Sequence, residues 1–308
     1  MEQEFLHLPV MLKEVVEYLN IKEDGTYLDA TVGGAGHSKE ILKYLKNGKL
    51  YCIDKDPDAL TEARKKLEKY KNVDIIEGDF RDIKSLVPSD ITFDGALLDL
   101  GVSSYQLDSP ERGFSYTKES MLDMRMSKKG VSAKDIVNEY SEEELTQIIY
   151  RYGQERYAGY ISRKIVAARQ IRPIDTTIQL AAIVTSALPP DVRRKDKNPA
   201  RKTFMALRIE ANDELDALKE GIDNIFDMLN SNGRLLIITF HSLEDRIVKQ
   251  RFAELSKGCI CPPDFPICVC GNVQRAKTIG RKPIQVSEEE AIQNKRARSA
   301  KLRILGKI

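Results

Sequence analysis

"LDATVGGAGHSKEIL", residues 28–42, decides how the first half of the chain is read. Three glycines, Gly33, Gly34 and Gly36, separate a short apolar run from a segment with helical spacing. A strand that turns sharply into a helix through glycines brings bare backbone close to a ligand. The stretch is not a Walker A loop. It also lacks a clean G-x-G-x-x-G, because counting from Gly34 the third glycine is replaced by Lys39.

Working outward, the same alternation recurs. "VMLKEVVEYLNI" (10–21) has helical periodicity, "TYLDAT" (26–31) reads as a strand, and SKEILKYLK follows as a helix. "KLYCID" (49–54) is a second strand, and a helix opens at Pro57, a favoured first-turn position. "VDIIEGD" (73–79) and "FDGALLDLG" (93–101) are the third and fourth strands, the last nearly all apolar, as a strand buried on both faces must be. Strand–helix alternation implies right-handed crossovers and a parallel sheet. From 101 to about 205 no strand is evident. Capping boxes Ser132…Asp135 and Ser141…Glu144 each precede an apolar stripe, and Arg156 and Arg163 are spaced to share a helix face. A long amphipathic helix over 208–230, the strand "GRLLIITF" (233–240), a helix from 241 and a strand-like "AKLRILGKI" resume the α/β pattern. The expected organisation is one discontinuous α/β domain, 1–105 with 206–308, interrupted by an all-helical insert, 106–205.

Composition is that of a globular chain, 42% apolar and 31% charged. No apolar run is long enough to span a membrane, and the N-terminus has neither the basic start nor the apolar core of a signal peptide. Cysteine usage does not suggest a disulfide scaffold, so a cytosolic protein is expected. Net charge is only +2 but polarised. Residues 1–100 carry 14 basic against 20 acidic side chains, residues 151–202 carry 12 against 4, and residues 271–308 carry 10 against 3. Basic stretches of this kind suit a polyanion such as RNA.

In an open parallel sheet, ligands gather at the carboxyl ends of the strands. Those ends read Asp29 to His37, Asp54, Gly78-Asp79-Phe80 and Asp99-Leu100-Gly101. Asp54, 18 residues past Gly36, suits the two hydroxyls of an unphosphorylated ribose. Asp79 and Phe80 offer an acceptor and a ring to an adenine. The pattern implies an adenosine-containing cofactor. NAD, and with it an oxidoreductase, would favour the missing third glycine that seats a diphosphate. S-adenosyl-L-methionine has no phosphate and asks only for close backbone and acids, which fits better.

The segments "LPVMLKEVVEYLNIKEDGTYLDATVGGAGHS", "LLDLGVSSYQLDSPERGFSY", "LDMRM", "ARKTFMALRIEANDEL" and "ITFHSLEDRIVK" resemble the RsmH (MraW) family over nearly the whole chain. The resemblance implies a Rossmann-like class I methyltransferase sheet with an inserted helical domain. It implies an enzyme that uses S-adenosyl-L-methionine to methylate N4 of a decoding-centre cytidine in 16S rRNA, as naked RNA or in the 30S ribosomal subunit. It further implies that Ala35, Gly36, His37, Asp54, Phe80, Asp99 and Gln106 contact the cofactor.

The N4 amine of cytosine is a poor nucleophile, because its lone pair is delocalised into the ring. Acceptors on its two N–H groups hold it in line and stabilise the charge it develops. Other amino-methyltransferases place an Asp/Asn-Pro-Pro-aromatic turn at this strand end. Here the acid, Asp99, is kept without the prolines, which makes it the expected orienter of the amine, with Ser103 and Ser104 as weaker candidates. Tyr105, Phe114 and Tyr116 could cradle the base or fill a core, and His241 could touch substrate or cap a helix. The run Arg193-Arg194-Lys195 with Lys197 is the expected RNA platform. Cys259, Cys261, Cys268 and Cys270 invite a zinc reading, but C-x-C pairs are less usual than C-x2-C and the resemblance requires no metal, so none is assigned.

Overall fold

The computed structural model describes residues 9–308 except positions 260, 263, 264, 266 and 268 and the side chain of Ser104. Cys268 and the N-terminal residues 1–8 of the sequence reading therefore lie outside the described residues.

Helix α1 (Leu12–Leu19) precedes strand β1 (Thr26–Asp29), which turns into α2 (Gly36–Tyr44). Next come β2 (Lys49–Asp54), α3 (Pro57–Leu67), β3 (Val73–Glu77), a short α4 (Ile83–Leu86) and β4 (Phe93–Asp99). Helix α3 begins where the sequence says it should: Pro57 occupies its first turn and the Asp56 carboxylate accepts the Asp58 N–H at 2.9 Å.

The chain then forms α5 (Ser104–Asp108), α6 (Ala133–Glu139), α7 (Glu142–Arg151), α8 (Ala158–Arg169), α9 (Thr177–Ala187), α10 (Pro190–Lys195) and α11 (Arg201–Asn212). It returns to the sheet through α12 (Glu214–Asp227), β5 (Leu229–Thr239), α13 (Ser242–Leu255), β6 (Ala276–Gln285), α14 (Glu288–Gln293) and β7 (Lys301–Lys307).

The seven strands lie in the order β3-β2-β1-β4-β5-β7-β6. All pairs from β3 to β5 are parallel, and β7 runs antiparallel to both β5 and β6. This is a doubly wound, Rossmann-like α/β sheet with an antiparallel edge. Strand order reverses between β1 and β4, so the crevice at their carboxyl ends is the topological switch point. Adjacent strand residues pack on opposite faces, as a two-residue period requires. Leu97 and Leu236 join α1, α2 and α3 in one core layer, while Leu98 and Ile237 join α12 and α13 in the other.

The chain divides into two compact units. The first contains residues up to Gly101 together with Leu215–Ile308, and holds the whole sheet. The second is Val102–Glu214 and is helical, apart from an isolated antiparallel bridge between Met121 and Thr176. Both expected capping boxes are present, with Ser132 on Asp135 and Ser141 on Glu144. The second unit has its own core, including Ile136, Ile149, Ile161, Leu180 and Leu207.

Three local expectations are corrected. The helix expected over 208–230 is two helices, because Asp213 takes a left-handed conformation (φ 49°) and ends α11. Arg156 precedes α8, so it shares no helix face with Arg163. The basic segment near 276–285 is itself a strand, β6, alternating with too few apolar residues to be seen as one.

Several of the quoted sequence motifs are architecture of the second unit. Arg112, only 4% exposed, donates to the carbonyls of Arg125 and Met126 at 3.0 and 2.9 Å. The Asn212 amide accepts from Met126 N–H and donates to the Met124 carbonyl, both at 2.7 Å. Together they clamp "LDMRM" with bonds that satisfy buried backbone.

Candidate active site

The three glycines of the opening stretch serve three purposes. Gly33 has φ +46°, a left-handed conformation that side chains disfavour. Gly36 opens α2 under Pro9, where an added Cβ would clash with the ring. Gly34 is exposed, and the Lys66 ammonium, which donates to its carbonyl at 3.0 Å, is the nearest group to an added Cβ. Only Gly34 therefore presents open backbone to an incoming molecule. Ala35, buried, is held left-handed (φ 59°) as the residue before α2.

Three carboxylates end the adjacent strands. Asp54 on β2 accepts the Gly33 N–H at 2.8 Å and the Asp56 N–H at 2.9 Å, one on each oxygen. It thereby shapes the glycine loop and still keeps two of its four lone-pair directions for a ligand. Burial pushes its pKa up to about 6, against these two hydrogen bonds. Asp29 on β1 is 1% exposed; it accepts the Ser38 hydroxyl at 2.6 Å and the Thr31 N–H at 3.3 Å, and burial raises it to about 6.

Asp99 on β4 is tied to the β1 loop by its own N–H, which donates to the Thr31 hydroxyl at 2.6 Å. Burial raises its carboxyl to about 6; His37 opposes that shift, and the charges of Asp29 and Glu244 add to it. Among the described residues its Oδ1 is buried without a hydrogen-bond partner. An unsatisfied buried carboxylate oxygen is costly and marks a place where a donor belongs. His37 Nδ1 lies 3.7 Å from Asp99 Oδ2, while its Nε2 donates to the Val10 carbonyl at 2.9 Å. The ring is therefore anchored through backbone on one side and faces the acid on the other.

Ala35, Gly36, His37, Asp54 and Asp99 are thus brought together at the switch point between β1 and β4. Phe80 sits in the core, 9% exposed, against Gly221 of α12, where an added Cβ would come within 2.5 Å of the ring. The Asp79 carboxylate meets Lys55 at 3.3 Å and accepts the Arg81 N–H at 3.1 Å. Gln106 belongs to the second unit, where it forms a capping box with Ser103: its Oε1 accepts the Ser103 N–H at 2.9 Å and its N–H donates to Ser103 Oγ at 3.2 Å.

His241 is a cap: its Nδ1 accepts the Glu244 N–H at 3.4 Å at the start of α13. Phe114 and Tyr116 are core, the latter edge-on to Phe204, whereas Tyr105 is half exposed. Sequence reasoning gave no role to Thr31, Asp29 or Glu244. The local signal for the first two was present in "LDAT", where two polar residues follow a buried strand, but their partners lie on other elements.

Chemically, this corner offers exposed glycine backbone and carboxylate acceptors held by backbone N–H groups, with α2 opening behind the loop at Gly36. It fits a phosphate-free adenosine cofactor such as S-adenosyl-L-methionine.

A family model described as the MraW methylase family matches residues 4–308. The chain is 51% identical to "Ribosomal RNA small subunit methyltransferase H" of Clostridium botulinum (strain Kyoto / Type A2), over 99% of this chain and 100% of that one. It is 49% identical to the protein so named in Finegoldia magna, over 99% of both chains, and 48% identical to that of Halothermothrix orenii, over 98% of both. With the family matched across the described sheet and the helical unit alike, the chain belongs to the MraW methylase family.

Proposed function

We propose that this enzyme methylates N4 of a decoding-centre cytidine in 16S rRNA. Family membership and the relatives' named activity carry the coarser statement, that it is an S-adenosyl-L-methionine-dependent methyltransferase of small-subunit ribosomal RNA. The structural support for the finer reading is one observation: Asp99 Oδ1, buried at the end of β4 without a hydrogen-bond partner among the described residues.

When bound, the cofactor supplies an electrophilic methyl group on a sulfonium. The exposed backbone of Gly34, with Ala35, Gly36 and His37, would hold its amino-acid part, and Asp54 its ribose. Phe80 and Gln106 are proposed contacts on the strength of the sequence resemblance. Asp99 accepts a hydrogen bond from the target amine, directs its lone pair and stabilises the positive charge as it develops. The base must leave its stack to reach this depth. The helical unit, 102–214, is the proposed RNA platform, with its exposed Arg193, Arg194, Lys195 and Lys197 for phosphates. No described helix is long and apolar enough to cross a membrane, and the proposed place of work is the cytoplasm, on naked rRNA or the 30S ribosomal subunit.

Mass spectrometry of 16S rRNA nucleosides, from cells with and without the protein, tests the reading. N4-methylcytidine derivatives should disappear with the gene and return on adding the purified enzyme and cofactor. Loss of a methyl group from any other base instead would refute the cytidine assignment.

A further inference from the structure

Between α13 and β6 the chain makes an excursion over 256–275. Its two ends are tied together, the Arg275 N–H donating to the Leu255 carbonyl at 3.1 Å. The Asn272 amide adds a cross-link within it, to the carbonyls of Lys257 at 2.9 Å and of Gly258. Among its described residues no large apolar side chain is buried: Phe265, Ile267, Val269 and Val273 are all more than half exposed. The described residues thus supply no apolar core of their own, and small units without a core rely on cross-links or metals.

What converges there is sulfur. One Sγ from each of Cys259, Cys261 and Cys270 lies within 4.8 Å of the other two. Cys259 and Cys270 are 3.8 Å apart, nearly twice the roughly 2.05 Å of a disulfide bond. That spacing equals the edge, about 3.8 Å, of a tetrahedron built on Zn–S bonds of about 2.3 Å. Each sulfur also receives a backbone N–H. Cys261 N–H points to Cys259 Sγ at 3.4 Å, Val269 N–H to Cys261 Sγ at 3.4 Å, and Asn272 N–H to Cys270 Sγ at 3.5 Å. The first and last are the same local turn made twice, a cysteine sulfur capped by the N–H two residues on. N–H dipoles aimed at sulfur offset the negative charge of metal-bound thiolates, as hydrogen bonds to first ligands do generally.

We propose that Cys259, Cys261 and Cys270 form a Zn²⁺ site that staples this excursion, with a further donor completing the tetrahedron. Soft thiolates select zinc over hard cations. Binding displaces the thiol protons, and no electron transfer is involved. None of the three cysteines contacts the acids of β1, β2 and β4 in the bonds described above, and the role proposed for the ion is structural. Cys268 lies outside the described residues and no part is given to it.

The test uses the full chain, purified without chelator and reloaded with zinc chloride alone. Elemental analysis should give one Zn²⁺ per chain. Replacement by Co²⁺ should produce thiolate-to-metal charge-transfer absorption and the intense visible bands of a tetrahedral ion. The combined C259S/C261S/C270S variant should lose both signals and keep its affinity for S-adenosyl-L-methionine by calorimetry, which shows that it is folded. Substoichiometric zinc in the reloaded wild-type chain would overturn the proposal. So would zinc retained by the triple variant, or a wild-type cobalt spectrum without sulfur charge transfer, a result that does not depend on any variant folding.

Discussion

His37 Nδ1 stands 3.7 Å from Asp99 Oδ2, across the switch point from the strand end that carries the acid. The contact is too long for a hydrogen bond, so the ring faces the carboxylate without bonding to it. The ionised Asp99 is the stronger acceptor and the form that stabilises the positive charge developing on the amine, and its pKa is raised to about 6. Single-turnover methyl transfer should therefore be flat above about pH 7 and fall roughly tenfold per unit below about 6. Asp99→Ala should abolish transfer while RNA still binds. A pH profile unchanged down to 4.5 would remove Asp99 from the chemistry.

Asp29 tests the same burial through stability. Its folded-state pKa is raised to about 6 from an ordinary 3.8. Below about 4 the carboxyl is protonated in both states and costs nothing. Between about 4 and 6 the folded state holds the proton more tightly, so stability falls as pH rises, and above 6 the penalty is complete. At about 1.4 kcal/mol per unit it reaches at most roughly 3 kcal/mol. Denaturant titrations of the cofactor-free protein should show this loss, and Asp29→Asn should flatten it.

Asp54→Ala should weaken cofactor binding and loosen the glycine loop together, because two backbone N–H groups lose their acceptor. Loss of hydrogen bonds to a charged acceptor costs about 1.5–3 kcal/mol each, so affinity by calorimetry should fall at least tenfold. Equal affinities would exclude Asp54 from the site.

The glycines separate packing from binding. Gly36→Ala collides with Pro9 and displaces the segment that anchors His37, so its melting temperature should drop. Gly34→Ala meets only the mobile end of Lys66 at 3.6 Å and should fold normally, yet lose cofactor affinity. If Gly34→Ala binds as tightly as wild type, the cofactor does not approach the loop there.

In α10 and just after it, Arg193, Arg194, Lys195 and Lys197 are exposed, with no ion-pair partner among the described residues. The basic segment farther on is partly engaged: Arg275 pairs with Asp227, Lys301 and Arg303 with Asp245, and Lys307 donates to three carbonyls. Changing the four exposed residues to Ala should flatten the log–log salt dependence of RNA binding by about 0.7–0.9 per lost phosphate contact. Stability and cofactor affinity should barely move, and methylation should fall through substrate affinity. An unchanged salt slope would make the run a solvated surface.

The parallel half of the sheet was legible because buried strands and capped helices leave local patterns, as in "FDGALLDLG" and Ser141…Glu144. The acids at the strand ends were legible by position alone. What was not legible depended on distant partners. Nothing near Phe80 announces that Gly221 lies under its ring. Nothing in "NDEL" announces that Asp213 breaks a continuous amphipathic pattern. Strand β6 hid because only part of one face is covered. The glycine triplet was legible as a strand-to-helix turn, but the separate surroundings of Gly33, Gly34 and Gly36 depend on Asp54, Lys66 and Pro9, which are remote in sequence.

The interrupted sheet also sets a timetable for synthesis. Strand β4 is made early, but its partner β5 follows the whole of Val102–Glu214, and β7, which flanks β5, comes later still. The helical unit is continuous and can close as soon as it emerges from the ribosome. Meanwhile β4 waits with one edge unpaired, an apolar strand that neighbouring chains could join. The nascent protein thus carries an unpaired apolar strand edge for as long as its second unit is being translated, and β4 is the strand a chaperone would have to shield during that interval.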